Sequence, residues 1–569
     1  MILYESEIEE FALEILKELN GYQVAYGPEL ADGPFKEHEL TDVLLIRRVK
    51  DAINRINQHI PAAAREDALK QVQRLTFGQL IDKNEYFHNL LINGVDVKYS
   101  VGEGKSRTDK VWLIDWKDPE GPKNDFLAVN QFTLLDTSGI HTSIQENRRP
   151  DIILFISGLP LVGLELKNAV DEPAKLEKAY NQLFTYHTVI PSLFPYNAFE
   201  VISDGWSAAA GTISSEYGRF MQWKSVDGDL IIDSRKQLEL QPLIEGMLSK
   251  SRLLDLIRHF LVFERTREGT VKKLSAYHQY FAVNKAISSS LRASAEDSSV
   301  QYISEHPAYY DLPSVHQQEK GDKRGGVVWH TQGSGKSLSM VFYTGKLVLE
   351  EAMNNPTIVV LTDRNDLDQQ LFDTFAAYQQ LLRQSPVQAD SREHLRQLLT
   401  VASGGIVFTT IQKFFPESGQ ERLPALTTRR NVVVIADEAH RSQYDFLEGY
   451  ARHMRDALPN ATFIGFTGTP IEKEDKNTQA VFGNYVDVYD IQQAVEDGAT
   501  VPIFYESRLA KISLPEEEQK VLDQKIDELT ESEELSEKQK NYARWAGQEA
   551  VVGSAPRLHQ VAVDIASHF

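Results

Sequence analysis

Cysteine does not occur in this chain. Disulfides and thiolate metal sites are therefore excluded, a composition expected of a cytoplasmic protein. No apolar run approaches the ~20 residues needed to span a bilayer, and no signal-peptide pattern opens the sequence, so no membrane partner is expected. Positive charge is also in short supply. The net charge is -22 at pH 7, the wrong sign for a surface that neutralises nucleic-acid phosphates throughout. The acid is unevenly spread, however: between Glu516 and Glu537 ten acidic residues accompany only Lys520 and Lys525. Net charge therefore does not decide the partner, and local basic groups such as Arg47, Arg48 and Lys50, or Lys320, Lys323 and Arg324, or Arg429 and Arg430, remain candidates beside the reading that they are solvated edges.

What is present is a soluble, well-cored composition in a chain of 569 residues, enough for three or four domains at about 150 residues each. The stretch around which it is organised runs from Gly325 to Met340. Val327, Val328 and Trp329 read as a buried strand, a Gly-rich loop follows, and a helix begins near Lys336. This is the pattern of a phosphate-binding loop. Gln332, Gly333, Ser334 and Gly335 offer backbone N–H groups to a polyphosphate, Lys336 can reach its outer phosphates, and Ser337 can ligate Mg²⁺. His330 stands where the pattern wants its first glycine.

From the N-terminus, Glu5 to Leu19 has the apolar period of an amphipathic helix whose acidic residues face away from the core. A helical hairpin is expected from Asp51 to Leu75, broken at Pro61, and residues 86 to 135 read as strand-like with polar loops. A second chemical cluster begins at Asp151. A strand from Ile152 to Ile156, a turn over Ser157 to Pro160 and a strand from Leu161 to Lys167 form a hairpin that can bring Asp151 close to Glu165. Two carboxylates with Lys167 beside them are what Mg²⁺-dependent phosphodiester hydrolysis needs. A surface ion pair between Glu165 and Lys167 on an edge strand is the bland alternative. Residues 201 to 265 add a strand at Phe199–Ser203, an apolar helix from Leu253 to Phe263 and no further chemistry. The pattern resets around Arg265 to Lys273.

Beyond the phosphate loop the rhythm is strand then helix. Thr357 to Thr362 and Ile406 to Thr410 are buried strands, and Asn431 to Ala436 leads into Asp437-Glu438-Ala439-His440. That placement sets two carboxylates at the carboxyl edge of a parallel sheet, where Asp437 can hold Mg²⁺ and Glu438 can deprotonate the attacking water. A further strand from Ala461 to Phe466 ends in Thr467-Gly468-Thr469-Pro470.

Pro150-Asp151 followed by Glu165-x-Lys167 resembles the PD-(D/E)xK nuclease motif, and Gln182 with Tyr186 on the helix from Pro173 to Ile190 resembles the Q-x-x-x-Y element that accompanies it. The later motifs resemble those of superfamily 2 motors. Taken in order, with Asn124-Asp125-Phe126 and Arg148-Arg149-Pro150-Asp151-Ile152, the chain resembles the R subunit of type I restriction-modification enzymes over essentially its full length. The resemblance implies an α/β fold: a PD-(D/E)xK endonuclease domain at 1–265 with a mixed sheet flanked by helices, a first RecA-like parallel-sheet lobe at 266–505, and an acidic helical linker with the start of a second lobe at 506–569.

It further implies that Gln279 reads adenine, that Thr362, Arg364 and Thr410 touch the DNA backbone, and that His440, Thr467, Gly468 and Thr469 couple ATP state to DNA grip. ATP and Mg²⁺ are the implied cofactors, with S-adenosylmethionine confined to a partner methyltransferase. Double-stranded DNA and the methyltransferase and specificity subunits are the implied partners. On this reading the chain is an N-terminal portion of a longer polypeptide and alone turns ATP over poorly. Two rivals remain: an autonomous RecB-like helicase-nuclease of DNA repair, and a non-catalytic ATP-dependent DNA clamp. Type III restriction subunits are disfavoured because they carry the nuclease after the motor.

Overall fold

A computed structural model describes residues 4–32, 36–75, 78–102, 104–136, 148–168, 175–234, 237–295, 321–362, 365–414, 424–439, 450–469, 481–501 and 555–568. Packing divides the chain into two compact units, Met1–Thr500 and Val501–Phe569. In the second, the helix Ala555–His568 is described, whereas the acidic segment at 516–537 lies outside the described residues. Among the described residues no helix is long and apolar enough to cross a membrane.

In chain order the first unit supplies β1 (Gln23–Tyr26), the hairpin β2 (Val95–Gly102) and β3 (Lys105–Val111), β4 (Phe126–Asn130), β5 (Ile152–Ile156), β6 (Leu159–Leu166), β7 (Phe199–Ser203) and β8 (Ala208–Gly211). Then come the hairpin β9 (Leu261–Arg265) and β10 (Thr270–Leu274), and β11 (Arg324–His330), β12 (Thr357–Thr362), β13 (Pro386–Gln388), β14 (Ile406–Thr410), β15 (Val432–Ala436), β16 (Thr462–Thr467) and β17 (Tyr485–Tyr489). Two large sheets result. The first is mixed, in the order β1-β4-β5-β6-β7-β8; the second is parallel, in the order β13-β14-β12-β15-β16-β11-β17.

The central strands of the first sheet are buried on both faces, while the edge strand β1 is largely exposed. Ile152, Leu154 and Ile156 of β5 pack on the side of the helix Glu5–Glu18, while Ile153 and Phe155 pack with Leu183 and Tyr186 of the helix Lys175–Val189. The β5–β6 turn is tighter than the sequence suggests. Ser157 (φ 51°) and Gly158 (φ 82°) form a two-residue turn, and Pro160 belongs to β6, opposite Phe155. A Cβ on Gly158 would lie 2.6 Å from the Leu45 carbonyl oxygen, so this turn admits only glycine.

Three further expectations are corrected. Residues 86–93 end the helix Leu80–Asn93 rather than alternating as strand; Asp82 caps its first turn by accepting from Gln79 N at 3.0 Å. The helix before Pro61 begins at Ile46. The apolar helix near 253 ends at His259, and Leu261–Phe263 open β9, where β-branched and aromatic residues pair with β10.

The reset around 265–273 is therefore a hairpin and not a gap in the packing. One hydrophobic core runs from Leu154 and Leu166 through Leu254, Phe260 and Tyr280 to Phe342 and Val360. Lys272 of β10 is wholly buried in the first sheet's flank, donating to Asn84 Oδ1 and to the Asn197 carbonyl, both at 2.8 Å. Burial pushes its amine down to about 7.

Unfolded Lys272 holds its proton to about pH 10, so between pH 7 and 10 the unfolded chain binds the extra proton and stability rises with pH. Against Lys272→Met, wild-type unfolding free energy should climb by up to about 1.4 kcal/mol per pH unit across that window. Denaturant melts at pH 7, 8, 9 and 10 measure it, and a pH-independent difference refutes it.

Candidate active sites

Asp151 lies just before β5, and Glu165 lies within β6. Their hairpin pairing sets Asp151 Oδ2 to accept from Leu166 N at 2.7 Å. Lys167 Nζ stands 2.6 Å from Glu165 Oε1, 4.0 Å from Asp151 Oδ2 and 2.8 Å from the Leu166 carbonyl. Glu165 is 0% exposed, which excludes the surface ion pair. Its second oxygen, Oε2, is buried without a hydrogen-bond partner among the described residues, an arrangement that is costly unless something else satisfies it.

Burial raises the Glu165 carboxyl well above its ordinary value, with the Asp151 charge adding to the effect. Asp151 is pushed up to about 6 by the same desolvation. Burial alone would depress the Lys167 ammonium, but the Glu165 charge overrides it and the net direction is upward. Gln182 donates to the Tyr186 hydroxyl at 2.7 Å. That phenol is raised by burial and then by the charges of Glu165 and Asp151, so the helix Lys175–Val189 brings it to the same centre. All five expected residues thus converge.

The donor set suits a hard divalent cation: two carboxylates, one with an unpartnered oxygen. Among the described residues no three His, Cys, Asp or Glu side chains gather at metal-binding distance. Two carboxylates are the set that Mg²⁺, which keeps several waters, accepts.

The second centre lies at the carboxyl edge of the parallel sheet. After β11, Gly333 (φ 84°) and Gly335 (φ 82°) take left-handed conformations, and the helix Lys336–Leu347 starts immediately. Gln332, Gly333 and Gly335 are exposed, Lys336 and Ser337 are half-buried, and Ser334 is buried, its hydroxyl donating to the Thr331 carbonyl at 2.6 Å. A Cβ on Gly468 would lie 2.7 Å from Lys336 Nζ and 3.1 Å from Gln332 Cγ, so the turn after β16 closes directly onto the phosphate loop.

Thr467 Oγ1 donates to the Thr469 carbonyl at 3.0 Å and shapes that turn. Asp437 and Glu438 follow β15, with Glu438 at φ 49° and its N–H donating to Asp437 Oδ1 at 2.9 Å. Burial, then the Glu438 charge, raises Asp437 to about 6; burial lowers Lys336 against the pull of both acids. Lysine, two carboxylates and an open glycine loop at a helix start form a donor set that fits a nucleotide triphosphate with Mg²⁺.

Residues 2–219 match the family described as type I restriction enzyme R protein N terminus, and residues 278–541 match the SWI2/SNF2 ATPase family. The chain is 43% identical, over all of its length, to the HindI endonuclease subunit of a type I restriction enzyme from Haemophilus influenzae. The chain belongs to the type I restriction endonuclease subunits. A Methanocaldococcus jannaschii subunit of this family, MjaIXP, is 33% identical over 99% of the chain. The chain spans about half the length of these curated relatives, 51% of each. A solved fragment of an HsdR subunit from Vibrio vulnificus YJ016 covers 65% of this chain and 56% of its own at 16% identity, with a TM-score of 0.25, too low to bear on the fold.

Within this endonuclease subunit, the acidic residues of the first helix do not all face away from the core, as the sequence suggested. Glu5 lies 3.8 Å from Lys167. Glu9, one turn on, accepts from Asn130 Nδ2 at 2.6 Å and Gln131 Nε2 at 2.8 Å, and the Gln131 N–H donates to the Asp151 carbonyl at 2.9 Å. The spacing of four between Glu5 and Glu9 was the available signal. Thr362 and Thr410 end neighbouring strands and pair with each other, and both are buried. Arg364 and His440 lie outside the described residues.

His330, in place of glycine, is fully buried with Nε2 2.9 Å from Asp487 Oδ2, while its carbonyl accepts from Lys336 Nζ at 3.3 Å. Gln279 uses both ends of its amide inside the protein. Oε1 accepts from Ala276 N at 3.0 Å and Nε2 donates to the Gly335 carbonyl at 3.1 Å. Gln279→Ala should therefore weaken ATP and GTP binding together by several-fold through the loosened loop, with the ATP loss larger if the amide also reads adenine. Parallel titrations with both nucleotides measure this, and unchanged GTP affinity removes the tether.

Proposed function

We propose that this chain carries the motor and nuclease chemistry of a type I restriction complex: ATP-dependent translocation along double-stranded DNA and endonucleolytic cleavage of unmethylated DNA. The single observation that carries the nuclease half is the wholly buried Glu165 with one oxygen unpartnered beside Asp151 and Lys167. In this reading residues 1–265 form the endonuclease domain, 266–505 the first RecA-like lobe and 506–569 a linker into a second lobe. The protein works in the cytoplasm with methyltransferase and specificity subunits. Site recognition and S-adenosylmethionine belong to those partners.

At the nuclease centre Asp151 and Glu165 would hold Mg²⁺, which when bound would supply positive charge to acidify a water and offset charge developing on phosphorus. Lys167, fixed by Glu165, orients that water through its ammonium protons. The Tyr186 hydroxyl, positioned by Gln182, lies within the field of both carboxylates and adds a buried ring beside them. At the motor centre Lys336 and the N–H groups of 332–335 bind the phosphates, Ser337 and Asp437 would hold the accompanying Mg²⁺, and Glu438 takes the proton of the attacking water. Thr467, Gly468 and Thr469, closed onto Lys336, carry the change in phosphate occupancy away from the loop, together with His440, which follows Glu438 by two residues.

Lys336→Ala in the assembled enzyme should abolish DNA-dependent ATPase, translocation and cleavage together; ATPase at the wild-type rate would sink the motor assignment. Asp151→Ala should leave ATPase and translocation intact while plasmid linearisation falls at least a hundredfold. Digests of unmodified circular plasmid, with and without ATP and the partner subunits, separate the readings. Dependence on both supports the type I assignment, and degradation of linear DNA by this polypeptide alone favours a self-sufficient helicase-nuclease.

A further inference from the structure

The turn between β7 and β8 holds the most exposed tryptophan among the described residues. Trp206 is 50% exposed, and its indole makes no hydrogen bond or ring contact with a described residue. The turn beneath it is rigid. Asp204 Oδ1 accepts from Trp206 N at 3.0 Å and Ser207 N at 2.7 Å, Ser203 Oγ accepts from Gly205 N at 2.9 Å, and the same hydroxyl donates to the Ser207 carbonyl at 2.8 Å. Glu239 fastens it from outside, its N–H donating to the Trp206 carbonyl at 2.8 Å and Oε2 accepting from Ala208 N at 3.0 Å. The Asp204, Ser203 and Glu239 side chains hold the backbone of the turn, and its largest apolar side chain is left half in water.

This turn lies at the rim of the nuclease centre. Ser203, from which it springs, pairs with Leu166, and its carbonyl accepts from Lys167 N at 2.9 Å. On the other side a Cβ on Gly205 would meet Ile8 Cδ1 at 3.1 Å. Ile8 is one helical turn beyond Glu5, which itself stands 3.8 Å from Lys167. The turn that carries Trp206 is thus joined to Lys167 through the Ser203 carbonyl and to the helix of Glu5 through Gly205 and Ile8.

We propose that Trp206 is a DNA-binding residue of the nuclease centre, its indole stacking on the face of a base unstacked beside the scissile phosphate. This rests on the nuclease reading above. A flat aromatic on a pre-ordered turn supplies stacking at little entropic cost, and every base offers a π-face, so the contact is indifferent to sequence. Such a contact suits a centre whose recognition is delegated to partner subunits.

Two measurements test it. In the Asp151→Ala chain, which binds without cutting, duplex DNA quenches a tryptophan emission component that is missing from the Asp151→Ala/Trp206→Phe chain. In the assembled enzyme, Trp206→Ala lowers cleavage at least tenfold, as expected for a lost base stack, Trp206→Tyr restores most of it, and ATPase and melting temperature stay at wild-type values. Full cleavage by Trp206→Ala, or emission unaffected by DNA, overturns the proposal. Quenching on addition of the partner subunits without DNA overturns it too, by assigning the indole to a protein interface. Cleavage by Asp151→Ala would instead overturn the nuclease reading, so the two failures are distinguishable.

Discussion

The burial of the Glu165 carboxylate fixes most of what surrounds it. A charge taken wholly out of water is strongly destabilising unless neighbours answer it, and here the answers come from three directions. Lys167 meets one oxygen from two residues on, the hairpin brings Asp151 from the neighbouring strand, and Tyr186 covers the site from a helix on the sheet's other flank. Each requires β6 in one register against β5, because a slip of one residue would carry Glu165 to the opposite face and set Leu164 and Leu166 among charges. The apolar side chains on both faces of β5 make that slip prohibitive.

The motor centre uses a different device for the same end. Its acids stand at the carboxyl edge of a sheet whose central strands, such as Val432–Ala436, are buried along their whole length. The loop that faces them is placed by close approach rather than by charge, through Gly468 against Lys336 and Gly335 against the Gln279 amide. The helix that starts at Lys336 is then tied back toward the first sheet. Its Lys346 donates to both oxygens of Asp255 at 2.7 Å, and His259 Nδ1 meets that same carboxylate at 2.7 Å. Motor helix and the helix Lys250–His259 therefore share one buried ionic contact and one continuous core.

What could be read from sequence follows from these physical differences. The five inner strands of the parallel sheet were legible almost to the residue, because double-sided burial demands apolar, largely β-branched runs such as Thr357–Thr362 and Ile406–Thr410, whereas the edge strands Pro386–Gln388 and Tyr485–Tyr489 carry no such run and were not. The Asp151–Glu165–Lys167 cluster was legible because Glu165 and Lys167 break an apolar strand. Residues 86–93 were not, since Phe87, Leu91 and Ile92 suit a helix or a strand, and the deciding signal, the Asp82 cap, sits before them. Glu5 and Glu9 were taken for a solvated face, for their role depends on Lys167, Asn130 and Gln131, more than a hundred residues away. Lys272 left no trace at all, since only tertiary packing distinguishes a buried lysine from the exposed one beside it.

Glu165 and Lys272 show how burial alone fails to identify a functional charge. Both are removed from water, and both have their ionised forms disfavoured by desolvation. Lys272 is surrounded by neutral acceptors that take up its protons, Asn84 Oδ1 and the Asn197 carbonyl, and Asn84 is itself anchored to the Phe194 carbonyl at 2.8 Å. Such a group specifies how β10 docks and asks nothing of a ligand. Glu165 keeps an oxygen that no donor reaches, next to a second carboxylate that repels it. A protein that needed only structure there would place a glutamine or a leucine, which would relieve the repulsion. The retained mismatch is a demand for positive charge that Lys167 meets only in part, and a divalent cation is the species that can meet the rest.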